Sequence, residues 1–381
     1  MDNTAYFIGV DVGTGSVRAA LVSENGKIVS SAVEATKTWN IQKDFYEQST
    51  DNIWNAVVNC IKRIWRKITG KKIGSVVLAP GSPVGCGLSK SAACALGLLA
   101  GTPVGVSMID AHAGGLGLIG CRVDSVDPAF HTRLSLICGT STCHMAVSKE
   151  ATFTPGIWGP YKNAMVPGMW LNEGGQSATG KLIDHVIDSH PATPEIRNKL
   201  GDLHIQQYLS NILHGLAEKE NLKSVAFLTK DIHVWPDFHG NRSPIADPSL
   251  KGAICGLTLA EDEESLALLY LATVQALSDI QSTLICGGLS KNPIFTEAQA
   301  DVCNLPVVCP DEVESVLLGS AILGACAAKH FKDMTTAIQS MGGRGRVVEP
   351  QREVVDFHNK KYEVFLKMYE HQLEYRSIMN N

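Results

Sequence analysis

An apolar strand, a turn of glycine and small hydroxyl residues, and a second apolar strand occur twice in this chain. Any fold must place both copies. The first is Tyr6-Phe-Ile-Gly-Val-Asp11-Val-Gly13-Thr14-Gly15-Ser16-Val-Arg18-Ala-Ala-Leu-Val22, and the second is Arg133-Leu-Ser-Leu-Ile-Cys-Gly139-Thr140-Ser141-Thr142-Cys-His-Met-Ala-Val147. Gly13-Thr14 overlays Gly139-Thr140, and Ser16 overlays Thr142. Such turns let backbone N–H groups and hydroxyls close on phosphate oxygens, because no bulky side chain blocks the approach. The repeat predicts two similar units that offer a hairpin to each end of one polyphosphate. The copies differ where it counts for the chemistry: Asp11 in the first is Ile137 in the second. One cleft needs one acid, to hold Mg²⁺ against phosphates, usually through water. Glu24-Asn25-Gly26 then turns the first hairpin into a third strand.

A third segment, Ser282-Thr-Leu-Ile-Cys286-Gly287-Gly288-Leu-Ser-Lys-Asn292-Pro293, reads as a strand ending in two glycines. Asn292 is placed to N-cap the next helix, with Pro293 at its first position. Open α/β sheets receive nucleotides at such strand ends. Taken alone, a plain strand-to-helix turn explains the segment equally well.

At 381 residues, two domains are expected. The 45% apolar and 19% charged content fits a globular protein with substantial cores. A net charge of −5 without a basic stripe argues against nucleic-acid binding. The N-terminus has no signal-peptide pattern and no run is apolar enough to span a membrane. The eleven cysteines include no CxxC pair and several lie in apolar runs, so a reduced, cytoplasmic protein is expected.

The three phosphate segments, in this order, resemble the FGGY carbohydrate kinases, and their wording fits the ribulokinase-like members best. The resemblance extends through Met108-Ile-Asp110-Ala-His112-Ala-Gly114, Trp170-Leu-Asn-Glu173-Gly-Gly, and Gly240-Asn-Arg242-Ser-Pro244. It implies an actin-like ATPase (ribonuclease H-like) α/β fold, with two domains around a nucleotide cleft. It also implies ATP and Mg²⁺ as cofactors and a sugar or polyol as substrate, with a homodimer as the candidate assembly. Asp110 stands at the family's catalytic base, at the end of a strand expected over 104–108; N-capping of the following helix is its alternative role. By the same matching, Gly13, Thr14, Ser16 and Arg18 face the phosphates from one side and Gly139, Thr140 and Ser141 from the other. Gly180, Gly287, Gly288 and Asn292 line the nucleotide. Glu173-Gly174-Gly175 either shapes the cleft or enters a helix spanning 172–189. His112, His144 and His233 lack metal-ligand spacing and read as structural.

The resemblance also shows what is missing. Relatives separate the first phosphate turn from the catalytic acid by more than twice the interval between Asp11 and Asp110. The absent stretch, near 75–80, holds core elements of their first domain and the residues that grip the sugar. A second omission falls at 277–280, where relatives continue the helix beginning at Glu263. The expected organisation is a truncated N-terminal domain over 1–125 and a nucleotide-binding C-terminal domain over 126–381 with a helical tail. A helix over 51–69, a polar helical stretch over 195–220 and a buried helix after Glu312 complete it. Two functions stay open: phosphorylation of a pentulose, most naturally D-ribulose, or nucleotide binding without a sugar site.

Overall fold

The computed structural model describes residues 6–13, 15–42, 45–48, 50–64, 78–278 and 284–380. Thr14 lies outside the described residues, as do the last residues of the helix expected over 51–69 and parts of the omissions expected near 75–80 and at 277–280.

The first hairpin forms as expected. Strand β1 (Tyr6–Val12) pairs antiparallel with β2 (Ser16–Ser23), Asp11 opposite Arg18, and β3 (Ile28–Ala35) lies on the far side of β2. Gly26, at φ +78°, makes the turn between β2 and β3, a left-handed conformation open to glycine without strain. Strands β4 (Thr38–Gln42) and β5 (Phe45–Gln48) form a separate small hairpin. Helix α1 (Thr50–Ile64) buries Ala56, Cys60 and Ile61 against Val17 and Ala19 of β2. Helix α2 (Lys90–Leu96), N-capped by Ser89, adds Ala95 and Leu96 to the same cluster. Among the described residues β1 pairs with β2 alone, so its other edge carries no strand.

The strand expected over 104–108 does not form. A strand needs a neighbour to take its backbone hydrogen bonds, and here the segment turns back on 81–84. Val84 N–H donates to Val104 O at 2.8 Å and Val106 N–H to Ser82 O at 2.8 Å, leaving one isolated bridge, Pro83 with Gly105. Helix α3 (Asp110–Ile119) follows directly.

The second unit begins with β6 (Leu134–Cys138), β7 (Thr142–Ser148), β8 (Trp158–Lys162), β9 (Trp170–Gln176), α4 (Gly180–Ser189), α5 (Thr193–Lys199) and α6 (Ile205–Lys219). It continues through β10 (His233–Trp235), β11 (Ala253–Cys255), α7 (Glu263–Leu277), β12 (Leu284–Gly287), α8 (Pro293–Cys303) and β13 (Val307–Pro310). Helices α9 (Ser315–Ala327) and α10 (Met334–Met341), strand β14 (Gly345–Val348) and helix α11 (Val355–Asn380) close the chain. Its seven-stranded sheet runs β14-β13-β12-β6-β7-β9-β8. The meander β6-β7-β9 is antiparallel, and β12 then lies parallel to β6, as does β13 to β12: the mixed sheet of a ribonuclease H-like unit.

Two expectations need correction. Residues 170–176, read as leading into a helix from 172, are strand β9, and the helix starts only at Gly180. Glu173-Gly174-Gly175 therefore lies within a sheet, paired with β7, rather than at a helix entry. The polar stretch 195–220 is two helices, α5 and α6, separated at Gly201 with φ +54°.

Helix α9 joins the two hairpins. It is apolar on every side, as expected of a helix wholly enclosed by protein, and buries Leu317, Leu318, Ala321 and Ile322 in a cluster that also takes Phe7 and Ala20 from the first hairpin and Met145 and Val147 from the second. Its contact with α3 is backbone to backbone: a Cβ at Gly319 would stand 1.8 Å from Ala113 O. Glycine is required there because the two helices meet without side chains between them.

Candidate nucleotide site

The two glycine-rich segments of the second unit meet through sheet register. Gly287 of β12 stands opposite Cys138 of β6, so Gly139-Thr140 and Gly288 emerge side by side from adjacent parallel strands. Gly287 has φ +86°, and a Cβ there would fall 2.1 Å from Cys138 O. Gly180 joins them, since its N–H donates to Gly139 O at 3.1 Å while Thr179 N–H donates to Thr140 O at 2.9 Å. Thr142 Oγ1 donates to Thr179 Oγ1 at 2.7 Å, pinning the β6–β7 turn to the start of α4. Gly139 and Thr140 remain exposed and Ser141 half-buried.

The first hairpin approaches the same region through Arg18. Its Nε donates to Asp11 Oδ2 at 2.9 Å and its Nη1 to Glu314 Oε2 at 3.0 Å. Glu314 follows Val313, whose carbonyl accepts from Gly287 N–H at 3.4 Å. A continuous path thus runs from Asp11 through Arg18 and Glu314 to the end of β12. Gly13, Gly15 and Ser16 sit at the tip of this hairpin, with Gly13 N–H donating to Ser16 O at 2.9 Å. The matching bond in the second hairpin is Gly139 N–H to Ser141 O at 2.9 Å, one residue tighter, so the repeat holds as a pair of hairpins but not residue for residue.

Asp110 is the first residue of α3 rather than its N-cap. The N-cap position is Ile109, and the Asp110 carboxylate accepts from Ala111 N–H at 2.7 Å. Asp110 and Asp11 line one cavity of about 910 Å³ beside the free edge of β1. Asp11 is only 4% exposed. Burial pushes its carboxyl above the ordinary 3.8, the charges of Asp110 and Glu314 push the same way, and Arg18 opposes without cancelling them.

Two carboxylates, Asp11 and Glu314, share one guanidinium, and the Asp110 charge acts on Asp11 as well, which leaves a formal surplus of negative charge where a polyphosphate would have to sit. Bare phosphate would be repelled there, and a divalent cation is the group that this arrangement fits, held by one carboxylate with phosphate and water completing its shell.

Asn292 caps α8 as expected: its Oδ1 accepts from Phe295 N–H at 3.3 Å. Its amide nitrogen donates to Gln206 Oε1 at 2.9 Å and to Tyr270 Oη at 2.5 Å. The side chain is 8% exposed, so both ends of the amide serve the local structure.

Sequence reading missed two features. Glu314 carries no motif of its own, and only its place before the small-residue helix α9 marks it. The other is a charged chain reaching from α3 into the second unit. His112 Nε2 lies 3.1 Å from Glu173 Oε2, Glu173 Oε1 accepts from Arg242 Nη2 at 3.4 Å, and the Arg242 guanidinium stacks 4.7 Å from the Trp158 ring. Residues 110–114, 170–175 and 240–244, distant in sequence, are thereby tied together.

Residues 6–80 match the N-terminal domain of the FGGY family of carbohydrate kinases, and residues 134–328 match its C-terminal domain. The chain belongs to the FGGY family of carbohydrate kinases. An FGGY carbohydrate kinase domain-containing protein of Homo sapiens is 49% identical over 330 residues, covering 81% of this chain and 60% of the relative. A D-ribulokinase of Saccharomyces cerevisiae is 36% identical over 288 residues, covering 68% of this chain and 40% of the relative. This FGGY chain thus spans about 60% of the length of such curated relatives. Among solved structures, a gluconate kinase from Lactobacillus acidophilus superposes with a TM-score of 0.74 at 15% identity, covering 97% of this chain and 98% of that one. That likeness shows the actin-like ATPase fold of the FGGY kinases. Among the described residues no helix is long and apolar enough to cross a membrane, and no disulfide joins two cysteines.

Proposed function

We propose that this chain is an ATP-dependent carbohydrate kinase acting on a pentulose, with D-ribulose the first candidate. What supports the reading is the Asp11–Arg18–Glu314 path, which links the first hairpin to the end of β12, where Gly139-Thr140 and Gly288 emerge side by side. The D-ribulokinase relative supports the choice of sugar. In this reading Gly139, Thr140, Gly180, Gly287 and Gly288 receive the nucleotide from the second unit. Gly13, Ser16 and Arg18 face its phosphates from the first, and Asn292 supports the wall behind. Mg²⁺, when bound at Asp11, would offset phosphate charge.

Asp110 would act as the base. Its carboxylate takes the proton of a sugar hydroxyl as that oxygen bonds to the γ-phosphorus, while the bond to the bridging oxygen breaks and ADP leaves. His112, buried and held by Glu173, would fix the first turn of α3 and with it the position of Asp110. The cytoplasm is the compartment this reading favours, and the domain division 1–125 and 126–381 is retained as part of it. The test is ADP release from ATP with D-ribulose, L-ribulose, D-xylulose and ribitol as acceptors. Turnover with D-ribulose at the highest kcat/KM is expected, and no acceptor-dependent ADP release with any of the four contradicts the proposal.

One observation favours a second reading, a nucleotide-binding protein without sugar turnover. Beyond Asp11 and Asp110, the 910 Å³ cavity is lined mainly by apolar side chains such as Val10, Leu96, Leu98, Val104 and Met108. A pentulose buries several hydroxyls, each needing a partner. ATP binding with no phosphoryl transfer to any acceptor would select this reading.

A further inference from the structure

A second cavity, about 590 Å³, lies apart from the nucleotide crevice: neither Asp11, Asp110, Thr140 nor Gly288 lines it. It opens between strands β7 and β9, the loop after β10, the end of α7 and helix α11. The volume suits a small molecule. One wall is aromatic: Trp235 packs against Phe365 with ring centroids 4.4 Å apart and stacks on Tyr369 at 5.5 Å, and Tyr362 stands beside Phe365 at 6.2 Å.

The opposite wall holds His144 of β7. This side chain is 6% exposed, lines the cavity, and has no hydrogen-bond partner among the described residues. Burial pushes its imidazolium down to about 4, with the nearby Arg242 charge acting the same way, so the ring is neutral at pH 7 and can accept a hydrogen bond. A ring nitrogen that has no protein partner and borders a cavity can accept from a ligand donor there. Arg242 also borders the cavity, but Glu173 and Trp158 already hold its guanidinium. Among the described residues the cavity therefore offers no buried uncommitted cation for an anionic ligand, since His239, the other basic residue of the lining, is exposed.

We propose that this cavity is a second ligand site, taking an uncharged aromatic molecule that donates one hydrogen bond, from a hydroxyl or ring N–H, to His144. Aromatic rings fill the space against Trp235 and Phe365, and the donor sets the orientation.

The probes are p-cresol, which carries a donor, and toluene, which has the same ring and methyl group without one. Calorimetric titration of the full chain should give saturable 1:1 binding of p-cresol at least fivefold tighter than toluene. His144→Leu should remove the difference while keeping toluene binding. Leu366→Trp, at the exposed rim, should weaken both probes at least fivefold and leave Mg–ATP titration unchanged, which covers the case in which the His144 variant does not fold. No saturable binding of either probe would overturn the proposal. So would equal affinity for the two, or displacement of p-cresol by Mg–ATP.

Discussion

Arg18 and Glu314 stand 296 positions apart in sequence, yet their side chains meet at 3.0 Å. The same guanidinium holds Asp11, so one side chain ties the first hairpin to the residue that opens α9. Removing it leaves Asp11 buried without its counter-charge. Arg18→Met should therefore destabilise the fold by about 2 kcal/mol, measured by urea unfolding, and weaken Mg–ATP binding at least about tenfold.

Asp11 should behave in the opposite way for stability. Burial raises its folded carboxyl above the ordinary 3.8. The stability this group contributes is fully present below the ordinary value and is lost as pH rises through the raised folded one. At pH 7 the charged carboxylate is therefore a cost. Asp11→Asn should melt at a higher temperature than the parent at pH 7, with the gap closing toward pH 4. Phosphoryl transfer should fall about 100-fold or more. A variant that melts lower at pH 7 would count against this account of the site.

The two adjacent glycines separate structure from binding. A Cβ at Gly287 meets Cys138 O at 2.1 Å and must also adopt φ +86°, whereas a Cβ at Gly288 meets nothing within 4 Å. Gly287→Ala should cost about 2 kcal/mol or more of stability. Gly288→Val should unfold at the parent's urea midpoint and yet lose ATP affinity, because its side chain enters the space assigned to nucleotide.

Asp301 on α8 predicts a pH signature unrelated to catalysis. Burial pushes its carboxyl up to about 6, while Gln351 N–H donates to it at 2.7 Å. Its contribution to stability is present below the ordinary 3.8 and is lost as pH rises through 6. The melting temperature should fall between pH 4 and pH 7, and Asp301→Asn should flatten that fall.

What could be read from sequence was local. The hairpin turns, the Asn292-Pro293 helix start and the apolar helix α9 each carry their signal within a dozen residues. Strand β9 was misread because Glu-Gly-Gly has the composition of a helix entry, and only pairing with β7 makes it a strand. The 104–108 segment has strand composition, but in the fold it turns back on 81–84 and makes a single isolated bridge. The Arg18–Glu314 and His112–Glu173–Arg242 links could not be read at all, since each depends on which elements the fold brings into contact. Fold class survives such errors because it rests on the order of elements, whereas site geometry rests on the contacts between them.

The central claim is that hairpins from both units grip one nucleotide. Its most direct test is calorimetric titration of the chain with Mg²⁺ and a non-hydrolysable ATP analogue, repeated for Ser16→Val in the first turn and Thr140→Val in the second. The account predicts 1:1 binding that each substitution alone weakens at least tenfold, without loss of fold. Binding that is indifferent to either hairpin would contradict it.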